Sequence, residues 1–334
     1  MGRLPDPDVI VIAGASAGVG RATARAFARP GARIGLIARG RAGLEAAAAE
    51  VRAAGAEALV LVCDVADADA VDAAATQVED AFGSIDAWVN VAMVAVLAEV
   101  TNTTADEFRR VMEVTYLGAV NGTQAALRRM LPRDRGKIVQ VGSALGFRGI
   151  PLQATYCGAK HAVQGFVESL RTELRHRGSK VSHTIVQLPG LNTTQFGWVR
   201  ARTPDFPQPV APIYEPEVAA RAIVWAARHT RTEMWVGVPT VYTIIGSRLT
   251  PRLADWYLAR TGFSGQQTGR PLERDRRDYL DGPLDDERDY GSTGPFGSQA
   301  HAHSRQLWLT THRHVAAAAA AAAATAVGAW LTRR

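Results

Sequence analysis

Residues 9–20 read VIVIAGASAGVG, and this stretch decides the fold. Its first half is a continuous run of aliphatic residues, as in a strand whose two faces are both buried. Its second half is a glycine-rich turn that leads into a helix. Gly14 can adopt a positive φ in a tight turn, Gly18 lets the backbone approach a pyrophosphate, and Gly20 allows a helix to pack closely on a strand. Because the helix N-terminus also offers free N–H groups, the stretch predicts a dinucleotide-binding turn.

Further apolar runs follow along the chain, separated by Ala-rich segments long enough to form crossover helices. The runs cover residues 33–39, 58–65, 87–92, 137–143, 181–190 and 233–239. Repeated strand–helix units predict an α/β fold with a doubly wound parallel sheet, a Rossmann fold, covered by helices on both faces. We therefore expect a single main domain over residues 8–263, followed by a C-terminal extension.

The C-terminal part of the chain changes composition twice. Residues 241–263 carry apolar and aromatic side chains at helical spacing, and we expect a helix packed on the main domain. Residues 264–306 carry charges of both signs and few aliphatic residues, which is typical of a disordered linker. Residues 307–334 form an Ala-rich tail, with nine consecutive alanines at 316–324, and this composition favours a helix.

Within the tail, residues 315–331 are uncharged over seventeen positions, which is the lower limit for a membrane span. Alanine is only weakly apolar, so three interpretations stay open: membrane contact, a soluble helix, or a helix that docks on a partner. The N-terminus lacks the charged and apolar regions of a secretory signal. We therefore expect a cytoplasmic protein, with membrane association through the tail as an alternative.

The composition excludes several classes of function. The 334 residues include 38 basic and 32 acidic ones, which gives a formal net charge of +6. The basic residues are nearly all Arg and are interspersed with acids, so we expect no nucleic-acid partner. Two cysteines are too few for a disulfide scaffold or a four-cysteine metal site. The histidines near the C-terminus match no metal-binding pattern, and we expect no bound metal.

A group of residues suited to proton transfer follows the fifth predicted strand. Tyr156 and Lys160 are four positions apart, so a helix places the phenol and the ammonium on one face. A phenol with a pKa of about 10 is a poor base at neutral pH, and an adjacent ammonium lowers that pKa. Ser143 ends the strand thirteen residues before Tyr156, at the sheet edge where such folds bind ligands. Its hydroxyl can hold a carbonyl or alcohol oxygen beside the phenol.

The residues after the second predicted strand bear on the choice of cofactor. Enzymes that bind NAD usually have an acid there for the adenosine ribose diol. In this chain the strand ends at Arg39 and no carboxylate follows, so we expect an arginine–phosphate pair and NADP rather than NAD. Arg21 is a second candidate for the 2′-phosphate. The alternative is a solvated arginine at the end of a strand.

Together these motifs resemble the short-chain dehydrogenase/reductase family, single-domain type, over about residues 8–240. The turn spacing G-x-x-x-G-x-G, the serine after strand five and the Y-x-x-x-K motif occur in the family's order and at its separations. The resemblance implies hydride transfer between a nicotinamide and a carbonyl or alcohol. It implies Tyr156 as the proton donor or acceptor, Ser143 as the residue that orients the oxygen, and Lys160 as the residue that tunes the phenol. It also implies a homodimer or homotetramer.

The resemblance also indicates cofactor contacts residue by residue. Asp64-Val65 matches the family's acid after strand three, which contacts the adenine, and Asn90 matches the first Asn of its N-N-A-G motif. Pro189-Gly190 matches the segment beside the nicotinamide, where Thr193 or Thr194 holds the carboxamide. The expected cofactor-binding residues are Gly14, Ser16, Gly18, Val19, Gly20, Arg39, Asp64, Val65, Asn90, Tyr156, Lys160, Pro189, Gly190 and Thr193.

Two positions depart from the family pattern. Met93 stands where the N-N-A-G motif has its glycine, and Thr115 stands where the family has an Asn that helps hold a proton-relay water. A threonine hydroxyl can still hydrogen-bond a water, so Thr115 stays a catalytic candidate. The departures favour the alternative function, a non-catalytic dinucleotide-binding or scaffold protein of the same fold.

Residues 191–216 lie where the family has its substrate lid. They include the aromatic residues Phe196, Trp198, Phe206 and Tyr214. An apolar, aromatic-lined site favours a fairly hydrophobic alcohol or ketone as substrate. The alternative is that these aromatic side chains only pack the lid.

Overall fold

A computed structural model describes residues 4–273 and 275–313. Seven strands form its central sheet: β1 (Val9–Ala13), β2 (Arg33–Ala38), β3 (Glu57–Val62), β4 (Ala87–Asn90), β5 (Lys137–Ser143), β6 (Ser182–Leu188) and β7 (Glu233–Trp235). Their spatial order is β7-β6-β5-β4-β1-β2-β3, and each neighbouring pair is parallel. Every predicted apolar run overlaps one of these strands, and the predicted doubly wound parallel sheet is confirmed.

Helices cover both faces of the sheet. They are α1 (Gly18–Phe27), α2 (Arg41–Ala53), α3 (Ala68–Phe82), α4 (Ala105–Met112), α5 (Gly118–Met130), α6 (Ala154–His176), α7 (Pro216–Ala227), α8 (Val238–Leu249), α9 (Pro251–Thr261) and α10 (Arg305–Thr311). A π-helical turn at Glu113–Leu117 joins α4 to α5, and Gln195–Trp198 forms a single short helical turn. Helices α1, α2 and α7 pack on one face, and α3, α5 and α6 pack on the other.

The first strand shows why the apolar runs are continuous. All five residues of β1 are buried. Ile10 and Ile12 belong to the core under α1 and α2, whereas Val9 and Val11 belong to the core under α3. Because successive side chains of a strand point to opposite faces, a strand with helices on both sides must be apolar at every position.

The strand order places the functional edge of the sheet. Strand β1 lies between β2 and β4, so the chain winds outward from β1 in two directions. In such sheets, ligands bind in the crevice beyond the carboxyl ends of the strands at this reversal. The residues that follow β1, β2, β3, β5 and β6 therefore meet at one edge.

The extension after the sheet differs from its sequence-based description in two places. The single helix expected at 241–263 is two helices, α8 and α9, because the chain breaks at Pro251, which lacks a backbone N–H. The expectation of a disordered linker at 264–306 is corrected: its described residues pack on the main domain. Tyr279, Leu280 and Phe296 are buried there.

Short strands also attach this segment to the domain. Gln267–Pro271 pairs with Asp205–Pro207, and Ala300–His301 pairs with Ile213–Tyr214. Its charges pair with charges of the domain, as in the Arg200–Asp278 contact at 2.8 Å. The prediction of disorder rested on composition alone, which treats charged side chains as solvated. Composition does not show that these charges form ion pairs with the domain.

The C-terminal tail is described only at its start, where Arg305–Thr311 forms α10. The nine alanines and the interval 315–331 lie outside the described residues. Within the part that the structure describes, no helix has both the length and the apolar composition needed to cross a bilayer.

Candidate active site

A cavity of about 810 Å³ opens at the carboxyl edge of the sheet. Most of the residues expected to bind cofactor or to act in catalysis line its wall. They are Gly14, Ser16, Gly18, Val19, Gly20, Arg39, Asp64, Val65, Ser143, Tyr156, Lys160, Pro189, Gly190 and Thr193. These residues come from five strand ends and from α6, so only the folded sheet brings them together. Asn90 and Thr115 lie outside this wall.

The glycine-rich turn after β1 has the backbone that its sequence predicts. Gly14 has a φ of +99° and Gly18 has a φ of +54°. A side chain at Gly14 would place its Cβ 2.6 Å from the Ala92 nitrogen, and one at Gly20 would overlap the Gly14 carbonyl oxygen. Helix α1 has no acidic residue in its first turn, so its N-terminus stays attractive to an anion. This cradle fits the pyrophosphate of a dinucleotide.

Three side chains suited to proton transfer converge on the cavity. The Ser143 hydroxyl hydrogen-bonds the Tyr156 phenol, and its oxygen accepts the Leu145 N–H at 3.1 Å. Lys160 Nζ lies 5.6 Å from the centroid of the Tyr156 ring and donates to the Val141 carbonyl oxygen at 2.9 Å. Ser143 and Lys160 are buried. The arrangement offers a phenol proton, a hydroxyl to hold an oxygen, and a nearby positive charge.

Burial sets the protonation state of the phenol and the amine. It raises the pKa of Tyr156 to about 12, although the hydrogen bond with Ser143 acts in the opposite direction. It also lowers the pKa of Lys160 to about 8. Lys160 was expected to lower the pKa of the Tyr156 phenol, but burial raises this pKa instead. The Lys160 ammonium donates its hydrogen bond to the Val141 carbonyl oxygen. At neutral pH the phenol is protonated and Lys160 is mainly an ammonium.

Asn90 and Thr115 are buried outside the cavity wall and hydrogen-bond other parts of the core. Trp88 Nε1 donates to Asn90 Oδ1 at 2.8 Å, and Asn90 Nδ2 donates to Gln140 Oε1 at 3.1 Å. Thr115 Oγ1 accepts the Val94 N–H at 3.1 Å and donates to the Val94 carbonyl oxygen at 3.0 Å. These bonds hold the Asn90 amide and the Thr115 hydroxyl inside the protein. The expected roles of the two residues, toward the cofactor and toward a relay water, stay predictions.

The arginines expected to bind a 2′-phosphate already have partners. Arg39 donates to the carbonyl oxygens of Tyr279–Leu280, and its guanidinium stays at the cavity wall. Arg21 is buried between Glu50, at 2.9 Å, and Asp289. Burial lowers the pKa of Arg21 less than these two carboxylates raise it. Arg39 therefore remains a candidate for the phosphate, whereas Arg21 is used to hold the C-terminal extension.

Asp64 is likewise engaged within the protein. Its Oδ1 accepts the Ala66 N–H at 3.0 Å, and its Oδ2 pairs with Arg110. Burial favours the protonated acid, but these two partners outweigh burial and lower the pKa of Asp64. The residue stays a carboxylate at the cavity wall, which is the charge state expected for a contact with adenine.

The C-terminal extension places two acids at the N-terminus of α2. The Arg41 N–H donates to Asp286 Oδ1 at 3.1 Å. The N–H groups of the next two residues donate to the main-chain carbonyl oxygens of Asp286, at 3.1 Å, and Asp285, at 2.9 Å. The Asp285 carboxylate packs so closely on Gly40 that any side chain at that position would overlap it. Its buried Oδ2 has no hydrogen-bond partner among the described residues. A helix N-terminus attracts anions, and here the Asp286 carboxylate and two main-chain carbonyl groups of the extension occupy it.

The lid residues divide between packing and lining. Phe196 and Tyr214 are buried, and the Phe196 ring packs edge-on against Phe296 at 5.9 Å between centroids. Phe196 and Trp198 both line the cavity. A parallel pairing of Arg200–Ala201 with Val96–Leu97 fixes the lid to the domain. Tyr214 is therefore a packing residue of the lid, whereas Phe196 and Trp198 belong to the cavity wall.

Comparison with known proteins decides the family. A family model described as short chain dehydrogenase matches residues 8–203. The chain belongs to the short-chain dehydrogenase/reductase family. It is therefore an NAD(P)-dependent oxidoreductase, as its motifs predicted.

The matches to three individual relatives cover between about half and four fifths of this short-chain dehydrogenase. The uncharacterized oxidoreductase YxnA of Bacillus subtilis is 34% identical over 267 residues, which cover 79% of this chain and 74% of that protein. The 2-(S)-hydroxypropyl-CoM dehydrogenase 3 of Xanthobacter autotrophicus is 37% identical over 175 residues, 52% of this chain and 69% of that one. Mouse dehydrogenase/reductase SDR family member 7B is 34% identical over 178 residues, 52% of this chain and 55% of that protein.

Among solved structures, a metagenomic short-chain oxidoreductase in complex with NADP superposes with a TM-score of 0.58 and 28% identity. The match covers 69% of this chain and 96% of that one. Nearly all of that neighbour thus has a counterpart in this short-chain dehydrogenase, which has about a third of its length in addition.

This short-chain dehydrogenase also has an aromatic residue at its site that no motif indicated. Tyr279 is buried and lines the cavity, and burial raises the pKa of its phenol. Its oxygen accepts the Ala95 N–H at 3.0 Å and lies 3.9 Å from Met93 Sδ. Met93, the departure from the N-N-A-G motif, therefore meets a residue of the extension.

Proposed function

We propose that this oxidoreductase reduces a fairly hydrophobic ketone or aldehyde to its alcohol, with NADP(H) as the cofactor. The observation that carries the proposal is the meeting of Tyr156, Ser143 and Lys160 in the same cavity as the glycine cradle. The cradle fits a dinucleotide, and the three side chains supply what proton transfer to a carbonyl oxygen requires.

Tyr156 acts as the proton donor in this mechanism. Its phenol gives a proton to the substrate oxygen, which the Ser143 hydroxyl holds beside it. The Lys160 ammonium, 5.6 Å from the ring centroid, stabilises the phenolate that remains. When bound, the nicotinamide supplies the hydride, which is chemistry that no side chain can perform. The residues of the cradle and Pro189-Gly190 would hold the cofactor against the sheet edge.

The protonation states favour carbonyl reduction over alcohol oxidation. With its pKa raised by burial to about 12, the Tyr156 phenol carries its proton throughout the neutral range. It is thus ready to act as an acid, whereas acting as a base would first require its ionisation.

We propose NADP in preference to NAD on two grounds. Arg39 follows β2 at the cavity wall, where a guanidinium can pair with a 2′-phosphate. The solved neighbour with 28% identity is a complex with NADP. Asp285 and Asp286 lie near the site proposed for the 2′-phosphate, and their carboxylates would repel it. We therefore expect only a modest preference for NADP over NAD.

The apolar wall supports a hydrophobic substrate. Met93, Leu145, Trp198, Leu253 and Trp256 all line the cavity. Apolar walls with a few convergent polar groups are typical of sites for apolar ligands. The substrate oxygen would lie at Ser143 and Tyr156, and its apolar part would extend along these side chains.

A direct test follows the oxidation of NADPH and of NADH with ketones of increasing chain length. We expect turnover with NADPH exceeding turnover with NADH, and a higher kcat/KM for the longer ketones. Cofactor binding without turnover of any aldehyde, ketone or alcohol would instead support the scaffold alternative. Sedimentation velocity of the same preparation measures whether the chain forms the homodimer or homotetramer that its family resemblance predicts.

A further inference from the structure

Helices α8 and α9 present an apolar face to solvent. The exposed apolar side chains of this helix pair are Val238, at the start of α8, and Tyr242, Ile245, Leu249, Leu253, Trp256 and Tyr257 further along it. Leu249 is 75% exposed and Leu253 60%. None of the eleven residues of α9 is buried, although helices of globular domains normally bury one face. A contiguous patch of this kind marks a surface that binds another body.

The same face forms the mouth of the catalytic cavity. Tyr242, Leu253, Trp256 and Tyr257 line that cavity and are also exposed. The patch is therefore continuous with the route that leads from solvent to Tyr156. A partner that covers the patch would therefore lie at the entrance of the cavity.

The charges on the helix pair are mainly positive. Arg248, Arg252 and Arg260 are exposed, whereas the one acid of the pair, Asp255, forms an ion pair with Arg148. The Arg260 guanidinium lies over the Trp256 ring, 4.1 Å from its centroid. Arginines beside tryptophan and leucine are the composition of helices that lie in the interface of an anionic membrane.

We propose that the α8–α9 pair lies on the surface of an anionic lipid bilayer and that the substrate is an alcohol or ketone dissolved in that bilayer. This inference rests on the proposed function and adds the source of its substrate. The lipid chains take the apolar side chains out of water, and the arginines face the anionic head groups. A substrate then passes from the bilayer through the cavity mouth to Tyr156 without crossing water. A second copy of the chain fits the patch less well, because it would cover the mouth that the substrate needs.

The test measures co-sedimentation of the full chain with vesicles. One set of vesicles consists of phosphatidylcholine alone. The other set also contains about 30% phosphatidylglycerol, which makes these vesicles anionic. The Ile245→Ser/Leu249→Ser variant removes two exposed side chains that do not line the cavity. We expect its binding to the anionic vesicles to fall about tenfold. The Arg252→Gln/Arg260→Gln variant is expected to lose the preference for anionic vesicles.

Trp308→Ser/Leu309→Ser is the matched control. Both side chains are 49% exposed, but they lie on α10 and outside the cavity wall. This variant is expected to bind as the unmodified chain does. The proposal is overturned if the unmodified chain sediments with neither set of vesicles, or if the Ile245→Ser/Leu249→Ser variant binds unchanged. It is also overturned if that variant converts an oligomer to monomers, because a second copy would then be what covers the patch.

Activity separates this proposal from the proposed function. The Ile245→Ser/Leu249→Ser variant should reduce a short, water-soluble ketone at the normal rate and a long-chain ketone carried in anionic vesicles more slowly. Equal rates on both would overturn the membrane route while leaving the enzyme assignment intact. If the unmodified chain reduces neither ketone, the proposed function fails, whereas the sedimentation result still decides the membrane contact.

Discussion

Replacement of Glu107 by Gln is expected to destabilise the fold and to remove part of its dependence on acid. Glu107 lies in the first turn of α4 and is buried although it is charged. Its Oε2 accepts the Thr104 N–H at 2.9 Å. Arg202 donates to both carboxylate oxygens, at 2.6 and 3.0 Å, and Arg200 donates to Oε1 at 3.3 Å. Because both arginines belong to the lid, this carboxylate fixes the lid to α4.

The magnitude follows from the pKa of the carboxyl. Burial alone would raise the pKa of Glu107, but the Arg202 and Thr104 hydrogen bonds outweigh it and lower the pKa from 4.5 to about 2. At about 1.4 kcal/mol per pKa unit, the ionised carboxylate contributes about 3 kcal/mol to the free energy of unfolding. Since the folded pKa is depressed, this contribution is present above pH 4.5 and is lost as the pH falls toward 2.

Urea unfolding of the unmodified chain and of Glu107→Gln at two pH values measures this contribution. We expect the variant to be less stable by about 3 kcal/mol at pH 7, and the difference to shrink to about 1 kcal/mol at pH 3. Asp106→Asn is the matched control, because Asp106 is in the same turn but its side chain is 86% exposed. Its replacement should cost less than about 0.5 kcal/mol. Equal stability of Glu107→Gln and the unmodified chain at pH 7, or a difference that does not change with pH, would refute the reasoning.

Three further predictions concern the site itself. Asp285→Asn should raise kcat/KM for NADPH relative to NADH by about fivefold, because it removes a carboxylate from the place proposed for the 2′-phosphate, and the Oδ2 of this carboxylate has no hydrogen-bond partner among the described residues. The exposed Asp281→Asn should leave that ratio unchanged. Gly20→Ala should lower the Tm and abolish cofactor binding measured by fluorescence, because its Cβ would overlap the Gly14 carbonyl oxygen; Gly165→Ala, at a position with open space, should be neutral or stabilising. Carbonyl reduction should decline above about pH 8, where the Lys160 ammonium is lost, and the residual activity of Lys160→Met should not decline there.

The sheet could be predicted because its signal is local. Each strand is buried on both faces, so each one appears in the sequence as an unbroken apolar run, as in β1. The cradle was equally predictable, because the positive φ of Gly14 and the contact at Gly20 leave no alternative residue. The Tyr156–Lys160 spacing fixes one helix face, and the structure places both residues at the cavity.

What the sequence could not show depends on contacts between distant residues. Asp285 meets the N-terminus of α2 across more than 240 positions of chain, and no periodicity marks such a contact. No carboxylate follows Arg39 in the sequence, but Asp285 of the distant extension lines the same cavity. Asn90 matches a motif, yet its amide is bound to Trp88 and Gln140, and a motif does not record where a side chain finds its partners. The packing of the described residues within 264–306 also depends on contacts with distant parts of the chain, and composition did not predict it.

The central claim is that the Tyr156 phenol gives its proton to the substrate oxygen. Tyr156→Phe removes the hydroxyl and keeps the ring, so it tests this claim most directly. The measurement is kcat for reduction of a hydrophobic ketone together with the Kd for NADPH. We expect kcat to fall by about a thousandfold and the Kd to change little, because a general acid acts in the transition state. A Tyr156→Phe variant that binds NADPH and reduces the ketone at the unmodified rate would contradict the account.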